Sequence, residues 1–147
     1  MGDPHPKELL RTVLAELAGE GSDLGTMEET LPRMTELLER YASPGFTCLM
    51  RGLPPTPPVT YEGVNGLAEA WADFGEAFES VRAVLEGVRE SDNHVVVLVD
   101  QVATTRHGGV EMHQPSAMMF SFEGEHVTGV EFHLDRDEAL RVAGIPD

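Results

Sequence analysis

Gln101, Gln114 and Ser116 stand among valines, methionines and phenylalanines in stretches that alternate apolar and polar side chains. An apolar wall carrying a few amide and hydroxyl groups suits the orientation of a small apolar molecule with one or two oxygens. Proton transfer is harder for these groups, because amides and an unactivated serine exchange no protons at neutral pH without an acid or base beside them. The plainer alternative is that they satisfy one another or nearby backbone. Asp100 is the only acid in the middle of these stretches, which makes it the one, weak, candidate for a catalytic carboxylate. Glu111 with His113, and Glu131 with His133, repeat at i and i+2. From two neighbouring strands such pairs would reach a metal ion, but on an outer sheet face they more simply supply polar or dimer contacts, and no metal is assigned. Phosphate cradle, nucleophile elbow and dinucleotide fingerprint are missing, so no cofactor is expected. Cys48 has no CxxC or histidine partner in sequence and reads as a small buried hydrophobe, and His107 as a solvated turn residue.

The elements that must position these residues follow from periodicity. After Ser80 the pattern has period two and predicts strands over 81–90, 94–106, 110–122 and 127–134, in an antiparallel meander. Gly108 and Gly109 suit a two-residue hairpin, which pairs Val99 with Met118 and Gln101 with Ser116. Val95, Val97, Val99, Gln101 and Ala103 then share a face with Gln114, Ser116, Met118, Phe120 and Phe122. Asp100, Thr104, Arg106, Glu111 and His113 take the other, and only a one-residue bulge would bring Asp100 inside. At the next turn a three-residue loop over 123–125 keeps Val130, Phe132 and Leu134 on the apolar side, whereas a two-residue loop would bury Glu131 and His133. The three-residue loop is expected, since burying an unpartnered carboxylate costs several kcal/mol.

Amphipathic helices earlier in the chain supply the cover. Pro6 opens one carrying Leu9, Leu10, Val13, Leu14 and Leu17, which Gly19 and Gly21 end. A second starts near Thr26, with Pro32 placed in its first turn and Leu31, Met34, Leu37, Leu38 and Tyr41 as its apolar stripe. A short strand is expected over 46–50. The segment RGLPPTPP is a stiff extended loop, and Arg51 at its start is a candidate pocket rim. A third helix over 64–78 buries Leu67, Ala70, Trp71, Phe74 and Phe78. Asp135, Arg136, Asp137 and Glu138 form the acidic start of a last helix.

With 147 residues the chain suits one domain, 1–147, and its net charge of −16 repels nucleic-acid phosphates and anionic lipid. A single cysteine forms no internal disulfide, and MGDPHPKELL lacks the apolar run of a secretory signal, so a cytoplasmic protein is expected. No apolar stretch approaches the ~20 residues that span a bilayer.

Helix, helix, short strand, proline loop, helix, four-stranded meander and closing helix, over 7–145, together resemble the SnoaL-like group of the nuclear-transport-factor-2-like superfamily. YEGVNGLAEAW is similar to that group's lead into its third helix, and FHLDRDEALRVAGI to its ending. The resemblance implies an α+β fold, a conical barrel with a pocket open at one end and mainly antiparallel strands, and frequent homodimers. Ketosteroid isomerase-like members use a carboxylate base, a tyrosine and a neutral aspartic acid. Those positions fall here around 51–54, at Ala15 and at Met118, so all three roles are vacant. SnoaL-type cyclases rely on a pocket aspartate, and the superfamily's epoxide hydrolases on an Asp and Arg constellation, for which only Asp100 offers itself.

The expectation is a homodimer whose cone binds a small apolar, polyketide- or terpenoid-like molecule. The expected lining is Tyr61, Trp71, Val99, Gln101, Gln114, Ser116, Met118, Phe120 and Phe132. Whether it is a lyase, isomerase or cyclase-type enzyme or a carrier is left open. The alternative is a dimeric interaction module whose cone is filled by its own side chains. A third possibility, an epoxide-hydrolase-like enzyme, requires Asp100 to face inward.

Overall fold

A computed structural model describes residues 5–18, 23–51, 57–76 and 78–145, with the side chains of Ala18, Asp23, Thr26, Met27, Glu28 and Phe74 outside that description. In chain order the elements are α1 Pro6–Ala18, β1 Asp23–Thr26, α2 Met27–Tyr41, β2 Ala42–Arg51, β3 Val59–Glu62, α3 Asn65–Gly75, β4 Phe78–Glu90, β5 His94–Thr105, β6 Glu111–Glu123, β7 His126–His133 and α4 Arg136–Ala143. The helix stop at Gly19 and Gly21 and the first prolines of the loop after Arg51 lie outside the described residues.

The strands form one sheet in the order β1-β4-β5-β6-β7-β2-β3. All neighbours are antiparallel except β2 and β7, and the sheet is open rather than a closed barrel. The four-residue edge strands β1 and β3 were not expected, and β2 is longer than the short strand predicted at 46–50. α2 begins at Met27, one residue after the expected start, and Pro32, its sixth residue, lies beyond the first turn. The third helix stops at Gly75, and Phe78 opens β4.

Two turns differ from expectation, and both differences leave the sheet faces unchanged. β5 and β6 are joined by a four-residue loop: Thr104 pairs with Glu111, and Thr105 N–H bonds Val110 O. Gly108 and Gly109 both take positive φ there, +89° and +61°. Val99 therefore pairs with Ser116 and Gln101 with Gln114, two residues away from the predicted register. An even shift returns every side chain to its own face.

The β6–β7 turn is the two-residue type, since Glu123 pairs with His126 and Phe122 with Val127. A bulge follows. Ser121 pairs with Gly129, leaving Thr128 unpaired, and from there Phe120 meets Val130 and Met118 meets Phe132. Val127, Val130 and Phe132 are consequently all buried in the main core, while Glu131 lies on the opposite face.

Helices α1 to α3 cover the inner face. Leu10 and Leu14 of α1, Met34, Leu37 and Leu38 of α2, and Leu67 and Ala70 of α3 pack against Val95, Val97, Val99, Met118 and Phe120. The outer face was expected to be solvated or to dimerise, but α4 covers part of it. Ala139, Ala143 and Leu140 lie on Val96, Leu98, Ala117 and Met119. Asp135 caps α4 by accepting from Asp137 N and Glu138 N at 3.0 and 3.3 Å, and Gly144 closes it at φ +74°. Arg136 clamps the helix to the sheet by donating to the backbone oxygens of Ser116 and Val99 and pairing with Glu86.

The bulge generates an asymmetric prediction. Deleting Thr128 removes the unpaired residue and leaves every other pair in place, so urea unfolding should shift by about 1 kcal/mol or less. Inserting one alanine after Thr128 forces a second unpaired residue or turns Glu131 inward, and should cost several kcal/mol by the same measurement.

Candidate functional site

Two adjoining hollows lie between the helices and the sheet. The inner one is ringed by Leu24 of β1, Leu31 and Met34 of α2, Leu67 and Trp71 of α3, Ala83 of β4, Val99 and Gln101 of β5, Met118 and Phe120 of β6, and Val130 and Phe132 of β7. It encloses about 40 Å³ and is almost wholly apolar. The outer one is a vestibule of about 260 Å³ at the open end of the sheet. Met50, Arg51, Val59, Tyr61, Asp73, Ser116, His133 and Leu134 line it. Gln101 and Phe132 belong to both, so they form the wall between vestibule and interior.

The local sequence explains how these walls are held. Trp71 meets Phe132 edge-on, with ring centroids 4.9 Å apart and planes at 72°, so two of the largest rings in the chain fix each other across α3 and β7. Tyr61 is placed by YEGVNG: Gly63 takes φ +76°, and a Cβ on Gly66 would stand 2.8 Å from Tyr61 Cβ. Both glycines thus serve the close approach of β3 to the start of α3. Tyr61 donates to Asp73 Oδ2 at 2.6 Å, and this carboxylate, followed by burial, pushes the phenol up to about 12. At neutral pH Tyr61 is a neutral hydroxyl.

The three polar residues of the inner face have different fates. Gln114 lines neither hollow: its amide donates to the backbone oxygens of Pro115 and Leu134 at 3.0 and 3.2 Å. Ser116 reaches the vestibule wall but donates to Gln114 O at 3.0 Å. Gln101 pairs across the sheet with Ala83 and Gln114, is 7% exposed, and holds its Oε1 buried with no hydrogen-bond partner. Backbone therefore satisfies Gln114 and Ser116, as the plainer alternative expected, and leaves one acceptor over.

Arg51 takes part in a charged cluster at the vestibule edge. Its Nε donates to Glu131 Oε1 at 3.0 Å and its guanidinium lies 3.6 Å from Glu138 Oε1. His133 is 1% exposed, with each ring nitrogen 3.4 Å from one of the same carboxylates but poorly aligned for a hydrogen bond. Sequence periodicity put His133 on the outer face but could not show α4 closing over it.

Asp100 is on the outer face, as the alternation requires, with no bulge in β5 beside it. Its Oδ2 meets His113 Nδ1 at 2.7 Å, and His113 Nε2 meets Glu111 Oε1 at 3.0 Å. The two carboxylates, Asp100 first, raise the His113 imidazole above its ordinary value. Asp100 lines neither hollow. Among the described residues no group of three or more His, Cys, Asp or Glu side chains is arranged to hold a metal, and no helix is long and apolar enough to cross a membrane. Cys48 is buried in the core, and burial pushes its thiol up to about 12, which leaves it unreactive.

Sequence alone missed Asp73 and His133 in the vestibule and Leu24, Met34, Leu67, Ala83 and Val130 in the interior. For Leu24 the strand is too short to show a period. Asp73 carries only its i+2 relation to Trp71, which says nothing of a partner twelve residues earlier.

Contact with His133 and Arg51 holds the Glu131 carboxyl below its ordinary value of 4.5, despite partial burial. A carboxyl depressed on folding stabilises the fold above its unfolded value, and that contribution is lost as pH falls through the folded one. Stability measured by urea unfolding should therefore decline as pH drops below about 4.5, and Glu131→Gln should flatten that decline.

No family model and no curated protein matches this sequence. Solved structures match along its whole length. A protein described as a SnoaL-like polyketide cyclase from Jannaschia sp. CCS1 is 17% identical, with 100% of this chain and 99% of that one covered and a TM-score of 0.59. A nuclear-transport-factor-2-like protein of unknown function from Burkholderia pseudomallei K96243 is 16% identical, covers 96% and 98%, and scores 0.62. TerC co-crystallised with polyporic acid is 14% identical, covers 95% and 98%, and scores 0.58. With four helices among the described residues on an open, mostly antiparallel, curved sheet, the chain has the α+β cone fold of the SnoaL-like, nuclear-transport-factor-2-like proteins.

Proposed function

We propose that this protein binds a small, largely apolar molecule of polyketide- or terpenoid-like size and polarity. The ligand enters through the vestibule and sets its apolar end against Trp71, Met118, Phe120 and Phe132. One observation carries the proposal: an apolar interior and a polar vestibule share a wall at Gln101 and Phe132, so a single molecule can span both. TerC, a neighbour in fold, was co-crystallised with polyporic acid, which supports small-ligand binding on this scaffold.

Among the described residues no Asp, Glu or His lines the interior, so any proton transfer falls to the vestibule. There Tyr61 is a neutral donor held by Asp73, whereas both ring nitrogens of His133 are buried between two carboxylates. A cyclase- or isomerase-type step would use the Tyr61 and Asp73 pair on the part of the ligand nearest the opening. The hydrolase possibility is set aside, because Asp100 is engaged with His113 on the far side of the sheet.

A second reading rests on the narrowness of the interior, about 40 Å³. A cone so nearly filled by its own side chains fits a non-catalytic module that self-associates through the outer face left open by α4, around Asp100, Glu111 and His113.

Trp71 is the only tryptophan and lines the interior, so its emission reports occupancy directly. Titration with a non-absorbing apolar probe such as decanol should change that emission saturably. Ala83→Leu, which replaces a methyl on the wall by an isobutyl group, should weaken binding at least about tenfold, or 1.4 kcal/mol. Unchanged Trp71 emission across a probe series, together with soaked crystals showing no density in either hollow, would remove the binding proposal and leave the self-associating module.

A further inference from the structure

We infer that Gln101 sets the polarity of the ligand: its Nε2 amide donates to a ligand oxygen at the junction of the two hollows, so the site takes apolar molecules that carry a carbonyl there in preference to the corresponding alcohols. The inference rests on the pocket proposed above and adds the polar group that the occupant presents, and where.

Besides the indole of Trp71, three polar side chains line the inner hollow: Thr30, Arg82 and Gln101. Their donors and acceptors are unequal in number. An arginine or an indole offers N–H groups only, a threonine one hydroxyl that both donates and accepts, and a glutamine two N–H groups and one oxygen. That glutamine oxygen is out of play, because Gln101 Oε1 is sealed in protein away from both hollows. Nε2 of the same amide is not sealed: it makes no hydrogen bond and has open surface on the wall that the hollows share. Reversing the amide would bury two N–H groups without an acceptor in place of one oxygen, which folded proteins tolerate less. Thr30, Trp71 and Arg82 each already have an interaction of their own. Among the described residues, the Thr30 hydroxyl is thus the one side-chain oxygen the lining can offer as an acceptor, against several N–H donors.

The vestibule differs, since the Asp73 carboxylate and the Tyr61 oxygen stand there. A ligand hydroxyl that faces the opening finds acceptors. A hydroxyl at Gln101 can accept from Nε2 but leaves its own proton unpaired beside the apolar walls of Trp71, Met118 and Phe132. A carbonyl oxygen in the same place has no proton to pair. The site therefore discriminates ketone from alcohol at that one point of the ligand.

Three probes on one carbon skeleton test this by calorimetry: para-methylacetophenone, the alcohol that reduction of its carbonyl gives, and para-ethyltoluene, which carries neither group. The native protein should bind the ketone about fivefold more tightly than the alcohol, the order of one net hydrogen bond. In Gln101→Met, which keeps the side chain's length and removes the amide, ketone and alcohol should bind within about twofold of each other, and para-ethyltoluene no more weakly than to the native protein. Read by infrared difference spectroscopy, the carbonyl stretch of the bound ketone should lie at lower frequency on the native protein than on the variant. Thermal unfolding checks that the variant folds, and the native comparison stands without it.

Equal or tighter binding of the alcohol by the native protein, a preference for the ketone that survives in Gln101→Met, or a carbonyl stretch unmoved by the substitution would overturn the assignment to Gln101 while leaving the pocket intact. So would failure of the ketone to bind a protein whose Trp71 emission responds to decanol. If no probe binds and decanol also leaves that emission unchanged, the pocket itself falls and the inference falls with it.

Discussion

The exclusion of Glu131 from the interior governs the sheet. Its strand neighbours Val130 and Phe132 carry the apolar surface, and in a strand of period two only one of the two sets can face the helices. The two-residue turn after Glu123 favours the wrong set, which would put Glu131 opposite Met118. The chain accepts one unpaired residue, Thr128, and with it a break in the ladder, and so returns Phe132 to Met118. An unpaired residue near the end of a hairpin costs less than a carboxylate without partners in an apolar core.

The site follows from that choice. With Phe132 turned inward, Trp71 has a ring to pack against, α3 is fixed over β7, and the wall between interior and vestibule exists. With Glu131 turned outward, it meets Arg51 and His133, and α4 adds Glu138 to the same cluster as it closes over the outer face. One bulge therefore separates an apolar hollow from a charged seam only a strand's thickness away. The chemistry divides in the same way: the interior is apolar surface with Thr30, Arg82 and Gln101 as its polar side chains, while every ionisable lining carboxylate or imidazole is in the vestibule.

Much of this was legible from alternation alone, and the reason is parity. The loop between β5 and β6 is two residues longer than Gly108 and Gly109 suggested, so the pairing partners of Val99 and Gln101 were displaced, yet their faces were not. At the next turn the expected loop was wrong and the expected faces right, because the bulge supplied the residue that the turn did not. Features without a period were not legible. β1 and β3 are four residues each, too short for alternation to register. The burial of His133 depends on where α4 docks, a long-range event fixed by the Asp135 cap, the small residues Ala139 and Ala143, and the Arg136 clamp. Gln114 satisfied the alternation rule but not the site, since its amide found backbone oxygens nearer than the hollow.

Nuclear Overhauser contacts across β6 and β7 read this central constraint most directly. The account predicts cross-strand contacts linking Met118 with Phe132 and Phe120 with Val130, a gap at Thr128, and contacts from the Trp71 indole to the Phe132 ring. Contacts linking Met118 with Glu131 and Phe120 with Gly129 instead would show an unbroken ladder, put the carboxylate in the core, and contradict the site built on it.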